Sequence, residues 1–225
     1  MGVKIREVQK RRASGCCTAG NSGRAGALQD ARVKVFMDYW NFVLDMRDWN
    51  HGFIVDYEKL ARVLVREAGV LLGCECSFEG VRVYASFDPN TEHGRKDKQF
   101  FEDELDGLAG YVVEIVERAP RHGFKCSACH RTIMECPKCG GKLEGTVEKG
   151  VDTGLVTEIM QGAWDDTYDA AVLLTSDRDF LPAVDYLQGR GIKFIHAGFG
   201  QSGFHLPRRC WAHIALQAFA DEFKA

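Results

Sequence analysis

The sequence predicts an α/β protein, a three-layer α/β/α sandwich around a parallel sheet of about five strands, interrupted by a small insertion. Three observations carry this. Short apolar runs of strand length alternate with stretches of helical period, and strict alternation of this kind makes a parallel sheet with helices on both faces. Of these runs, Val33 to Met37 leads directly into Asp38 and Ala170 to Leu174 is followed within five residues by Asp177 and Asp179, and open parallel sheets present their chemistry at the carboxyl ends of strands. Residues 118–149 break the alternation with two Cys-x-x-Cys pairs.

The elements follow in order. Residues 1–32 are rich in Gly, Ala and Ser without apolar periodicity, and read as a disordered basic extension. Val33 to Met37 is a β-branched, apolar first strand that delivers Asp38 at its end. Ile54 to Leu72 reads as a helix with Asp56 as N-cap and Leu60, Val63, Leu64 and Leu71 on one face. Val81 to Phe87 is the second strand. Arg95 to Leu108 is a helix turning Phe101, Leu105 and Leu108 inward, and Tyr111 to Val116 is the third strand. After the cysteine block, Asp152 to Trp164 resumes a helix through Leu155, Val156, Ile159 and Met160. Ala170 to Leu174 is a fourth strand, apolar throughout as a strand buried on both faces must be. Ile192 to Ala197 is a fifth strand, and Trp211 to Phe223 closes as an amphipathic helix.

Composition bounds the function. The chain has 225 residues, 45% hydrophobic and 27% charged, with a net charge of −3. This is ordinary for a globular protein. No apolar run approaches the roughly 20 residues of a membrane span, and no secretory signal opens the chain. Nine cysteines, an odd number, argue against a fully disulfide-paired secreted protein; the expectation is a cytoplasmic protein. Charge is uneven, +5 over residues 1–32 and −8 over the remainder, so the arm is either a contact for a polyanion or a solubilising tail.

Asp38, Asp152, Asp177 and Asp179 come from three distant segments, two of them strand ends. Neighbouring strands lie about 5 Å apart, so acids at adjacent ends can share one ion. Carboxylates crowded together repel and resist desolvation, which makes a divalent cation their natural partner. Mg²⁺ or Mn²⁺ suits an all-oxygen set and needs no histidine. The plainer reading is that Asp177 caps the next helix and Asp179 sits in its first turn.

Three blocks, VFMDYWNF, EKGVDTGLVTEIM and YDAAVLLTSDRDFLPAVDYLQGRGIKFI, resemble the signature blocks of the NYN domain, the LabA/limkain-type branch of the PIN-like nucleases. The resemblance runs over residues 33–223, with a cysteine insertion at 120–148. It implies a PIN-like (Rossmann-like) fold and a metal-dependent ribonuclease acting by phosphodiester hydrolysis. Asp38 resembles the acid after the first strand, and Asn41 the nearby Asn that positions it or the phosphate. Asp152 resembles the acid of the Lys-Gly-x-Asp block, with Lys149 just before it. Asp177 and Asp179 resemble the acid pair after the fourth strand. The family's usual Ser-Gly-Asp-x-Asp reads Thr175-Ser176-Asp177-Arg178-Asp179 here, so a side chain stands where the family has Gly. The implied Mg²⁺ or Mn²⁺ ligands are Asp38, Asp152, Asp177 and Asp179; Lys149 and Arg178 are candidate substrate contacts.

Cys126-x-x-Cys129 and Cys136-x-x-Cys139 are separated by six residues, and Gly140-Gly141 follows the second pair. This spacing lets four thiolates surround one structural Zn²⁺ and leaves it no open position. Two disulfides or an Fe–S cluster are the competing readings. A cytosolic setting disfavours the first, and no flavin or nicotinamide motif accompanies the second. Residues 118–149 hold seven Lys or Arg against three acids. The insertion would remain positive with a Zn–Cys₄ centre, so it is either a grip for nucleic acid or a brace for a long loop. Cys74, Cys76 and Cys210 read as ordinary thiols, and Cys16 and Cys17 carry no assigned role.

The function expected is therefore a metal-dependent endoribonuclease with RNA as partner and no membrane. The alternatives are a non-catalytic RNA-binding or adaptor protein on the same scaffold and, more weakly, a nucleotide binder. The last lacks a G-x-G-x-x-G after the first strand. Oligomeric state is not legible.

Overall fold

The computed structural model describes residues 30–200 and 205–225. Strand β1 (Asp30–Asp38) leads through helices α1 (Tyr39–Trp49) and α2 (Tyr57–Leu72) to β2 (Glu75–Phe87). Helix α3 (Glu92–Gln99) runs into a π-helical turn, Phe100–Leu105, before β3 (Tyr111–Glu117). The insertion holds four short strands: β4 (Ala119–His122), β5 (Phe124–Lys125), β6 (Thr132–Ile133) and β7 (Glu144–Val147). Then come α4 (Val151–Trp164), β8 (Ala170–Leu174), α5 (Leu181–Gly189), β9 (Lys193–Gly198), α6 (His205–Arg209) and β10 (Ala212–Ala215).

The main sheet has six strands in the order β10-β9-β8-β1-β2-β3, every neighbouring pair parallel. Its two faces are filled by alternate residues of the same strands. Val33, Val35 and Met37 of β1, with Val172 and Leu174 of β8, pack under α1 and α2. Phe36, Ala171 and Leu173 face the other way, against Leu155 and Ile159 of α4 and Val184 and Leu187 of α5. Leu173 is 0% exposed, so Leu173→Ala should cost about 2–5 kcal/mol in urea unfolding. A loss below about 1 kcal/mol would mean that the face re-closes around the gap.

Asp56 caps α2 as expected, its Oδ1 accepting from the Lys59 amide at 3.0 Å. The parallel sheet flanked by helices is as expected, with β10 as a sixth strand at its edge. Other expectations need correction. Residues 30–32 extend the first strand, because Asp30–Val33 pairs with Glu75–Phe78 and the Arg32 guanidinium grips the Asp169 carboxylate with two bonds of 3.0 Å. The rest of the expected extension, with Cys16 and Cys17, lies outside the described residues. The Trp211–Phe223 helix is instead the edge strand β10 followed by a 3₁₀ turn, Leu216–Glu222. Pairing of β10 with β9 outweighs the helical spacing of its apolar residues. No helix among the described residues is long and apolar enough to cross a membrane.

Candidate active site

The carboxyl ends of β1 and β8 lie side by side at the middle of the sheet, and the chain turns sharply after each. Asp38 ends β1 and caps α1, its Oδ1 accepting from the Asn41 amide at 3.3 Å. Its Oδ2 accepts from the Thr175 hydroxyl at 3.4 Å, so the first residue past β8 holds the last residue of β1. Asn41, one turn into α1, returns the contact: its Oδ1 accepts from the Ser176 amide at 2.8 Å. Asn41 thus joins the two strand ends through the backbone.

After Ser176 the loop closes on itself. The Asp177 amide donates to the Thr175 hydroxyl at 3.2 Å, and Asp177 Oδ1 accepts from the Asp179 amide at 2.8 Å. Asp177 does cap the short 3₁₀ turn Arg178–Phe180, as the plainer reading had it. It also faces Asp152, which stands in the first turn of α4, where a helix N-terminus favours negative charge. Gly150 precedes that helix at φ +92°, a conformation that side-chain-bearing residues resist. The Lys149-Gly150 step is what turns the chain from the insertion into α4.

One ligand oxygen from each of Asp152, Asp177 and Asp179 lies within 4.8 Å of the other two, the one such group of three or more among the described residues. Asp38 stands behind them, 6% exposed. Burial, with repulsion from Asp152 and Glu148, pushes its pKa up to about 7. Burial and the charges of Asp177, Glu148 and Asp179 raise Asp152 as well. Asp38 and Asp152 therefore resist ionisation side by side, and an all-oxygen set such as Asp152, Asp177 and Asp179 fits a hard divalent cation.

A model of the NYN domain matches residues 32–217. The chain belongs to the NYN domain family. A crystal structure of a protein of unknown function from Vibrio parahaemolyticus resembles it with a TM-score of 0.54 at 16% identity, over 88% of this chain and 98% of that one. At that identity the likeness speaks for the fold. No curated protein sequence matches the chain. NYN domains fall within the PIN-like nuclease superfamily, and the acidic group in this NYN domain lies where the fold gathers its strand ends.

Lys149 and Arg178 are both exposed, Lys149 just before α4 and Arg178 between the two aspartates of the loop. Sequence reasoning missed Glu148, which joins the electrostatics of both Asp38 and Asp152. Glu148 accepts from the Ser86 hydroxyl, and Ser86 Oγ in turn accepts from Arg118 Nε at 2.9 Å. Residues 118 and 148 are the two roots of the insertion, so this three-residue junction buckles the insertion to the end of β2 beside the acids. The Arg118 guanidinium also lies over the Trp40 ring, 5.9 Å from its centroid. No sequence signal links Ser86 to Glu148.

Beyond the buckle, β4 and β7 form an antiparallel ribbon that carries two turns of the same build. The His130 amide donates to the Cys126 carbonyl at 2.9 Å, and the Gly140 amide to the Cys136 carbonyl at 2.8 Å. His130 and Gly140 have φ of 58° and 69°. In each turn the first cysteine's sulfur receives backbone N–H groups, from Ala128 and Cys129 or from Lys138 and Cys139, which lowers its pKa. All seven described cysteines are free thiols. A cavity of about 490 Å³ beside α1, lined by Tyr39, Met46, Phe53, Tyr57 and Phe100, includes none of the cleft acids.

Proposed function

We propose that the chain is a metal-dependent ribonuclease that hydrolyses phosphodiester bonds of RNA, cutting within the strand. The observation that carries this is the convergence of Asp152, Asp177 and Asp179 on one point, with buried Asp38 behind them. Asp38, Asp152, Asp177 and Asp179 would hold Mg²⁺ or Mn²⁺. When bound, such an ion supplies an activated water and offsets charge on the phosphoryl oxygens. Asn41 and Thr175 keep the two strand ends in register. Lys149 and Arg178, exposed on either side, contact the phosphate backbone of the substrate.

The insertion is a structural zinc module, with Cys126, Cys129, Cys136 and Cys139 as its ligands. Two matching turns, each with amides aimed at a sulfur, favour thiolates and so favour a metal. Its basic residues grip RNA beside the cleft. Arg121 stacks on Phe124 with its guanidinium carbon 3.9 Å from the ring centroid, and Phe124 is exposed. An arginine–aromatic pair of this kind offers a face to an unpaired base. Free thiols on a metal-binding turn fit a reducing compartment, the cytoplasm.

Protein purified without chelator should contain one zinc per chain, and elemental analysis showing neither zinc nor iron would contradict the module. Cys136→Ser should loosen residues 120–148 in hydrogen exchange while the sheet stays protected, because the side-chain bonds from the insertion to the body lie near its base, at Arg118, Thr146 and Glu148, away from the cysteine turns. Labelled single-stranded RNA and DNA, incubated with Mg²⁺, Mn²⁺ or EDTA, test the activity. RNA cut only with a divalent ion supports the proposal. RNA bound but uncut under every ion would make the chain a binding protein instead.

A further inference from the structure

Behind the Thr175–Asp179 loop lies a polar pair in an otherwise apolar part of the sheet. His196 on β9 is 2% exposed. Its ring stacks on that of His213 on β10, with centroids 5.0 Å apart and planes at 22°. Their Nδ1 atoms are 2.8 Å apart. Gly198 makes room for this: a Cβ there would stand 2.8 Å from His196 Cε1 and 3.0 Å from Asp45 Oδ2. On the other side of the His196 ring, Nε2 lies 3.4 Å from the Ser176 hydroxyl oxygen. Ser176 is half-buried at the turn between β8 and Asp177.

The proton count of this pair is constrained. A short Nδ1–Nδ1 contact holds one proton, so one ring donates there and the other accepts. Burial, and after it the neighbouring His213, drive the His196 pKa down to about 3, so His196 is neutral and carries a single ring proton. The backbone of Thr175 beside the His196 ring, and that of His196 beside the His213 ring, each work against this lowering. With the shared proton on His213 Nδ1, the single His196 proton sits on Nε2. His196 then donates towards Ser176, whose oxygen accepts. The Ser176 amide is already spent on Asn41. Its hydroxyl proton is left over, at the rim of the acidic cleft and one residue from Asp177.

We propose that Ser176 is a substrate-contacting residue whose hydroxyl donates to a phosphoryl oxygen of the bound nucleic acid, with His196 and His213 as the positioning residues that orient it. This rests on the cleft being a phosphodiesterase site. Phosphoryl oxygens are acceptors, and a cleft lined by carboxylates has few donors to offer them. The Ser176 hydroxyl adds one on the loop that carries Asp177 and Asp179. A Gly at this position would supply none.

The test uses the full chain, single-stranded RNA and Mn²⁺. Ser176→Ala should lower kcat/KM by about 10-fold to 100-fold, the scale of a lost hydrogen bond to a charged group, and Ser176→Thr should restore most of it. His196→Gln, which keeps a donor near Nε2, should stay within a few fold of wild type, whereas His196→Leu should match Ser176→Ala. Mn²⁺ should raise the melting temperature of Ser176→Ala as much as that of wild type, separating phosphate contact from loss of the metal. Nitrogen-15 NMR should find the His196 proton on Nε2 and the His213 proton on Nδ1. Active wild type with an equally active Ser176→Ala, or the opposite tautomers, would overturn this proposal alone. Wild type inactive under every divalent ion would overturn the ribonuclease reading and this proposal with it.

Discussion

Asp38→Asn is expected to abolish RNA cleavage and at the same time to stabilise the metal-free protein at high pH. Asn keeps the size of Asp and caps helices equally well, so the α1 cap survives, while the Thr175 contact is kept only with its direction reversed, the Asn NH₂ donating to the Thr175 hydroxyl oxygen. What disappears is a charge that helps anchor the ion, and the expected loss is roughly 1,000-fold or more, the scale on which preorganised charge acts in a closed site. The stability change follows from linkage. The Asp38 pKa lies at about 7 in the folded protein against an ordinary 3.8, so the folded state binds this proton more tightly than the unfolded one. Stability from Asp38 is therefore greatest below about pH 4, declines as pH rises towards 7, and is fully lost above it. Asn does not titrate. The variant should match wild type near pH 4 and exceed it by about 4 kcal/mol at pH 8 in EDTA, at about 1.4 kcal/mol for each pKa unit. Urea curves at the two pH values check this; a gain that is the same at both would show that Asp38 ionisation is not what destabilises the cleft.

Mn²⁺ is expected to raise the melting temperature of wild type and to leave that of Asp177→Asn unmoved. At an ion concentration about 100 times Kd, the gain is about 2.7 kcal/mol, which for a chain of this size is about 5–10 °C. The shift should be larger at pH 8 than at pH 6, because Asp38 and Asp152 are both held towards their protonated forms and must release protons to meet a cation. Equal shifts in both proteins would place the ion elsewhere.

Much of this molecule was legible in the sequence, for local reasons. Ala170–Leu174 reads as a strand to the residue because five consecutive apolar side chains at strand length satisfy two buried faces. Asp38, Asp177 and Asp179 stood out because each follows such a strand. What escaped depends on partners far along the chain. Tyr39–Trp49 mixes aromatic, acidic and basic residues without a clean apolar stripe, and its helix is set by the Asp38 cap. The C-terminal stretch has helical spacing, but the open edge of β9 recruits Ala212–Ala215 as a strand. Glu148 enters the cleft through Ser86, 62 residues away, and His196 reaches the loop by crossing to a neighbouring strand. Neither leaves a trace in spacing.

The proposed reaction depends on a divalent ion held by aspartates at the strand ends. Wild type and Asp177→Asn, purified side by side, should be given the same end-labelled single-stranded RNA with Mn²⁺ and the products resolved by size. Internal cleavage by wild type is expected, with none in EDTA and none by Asp177→Asn at any ion concentration. Cleavage at equal rates by the two proteins would contradict the proposed reaction, because the activity would then owe nothing to the acid on which the site is built.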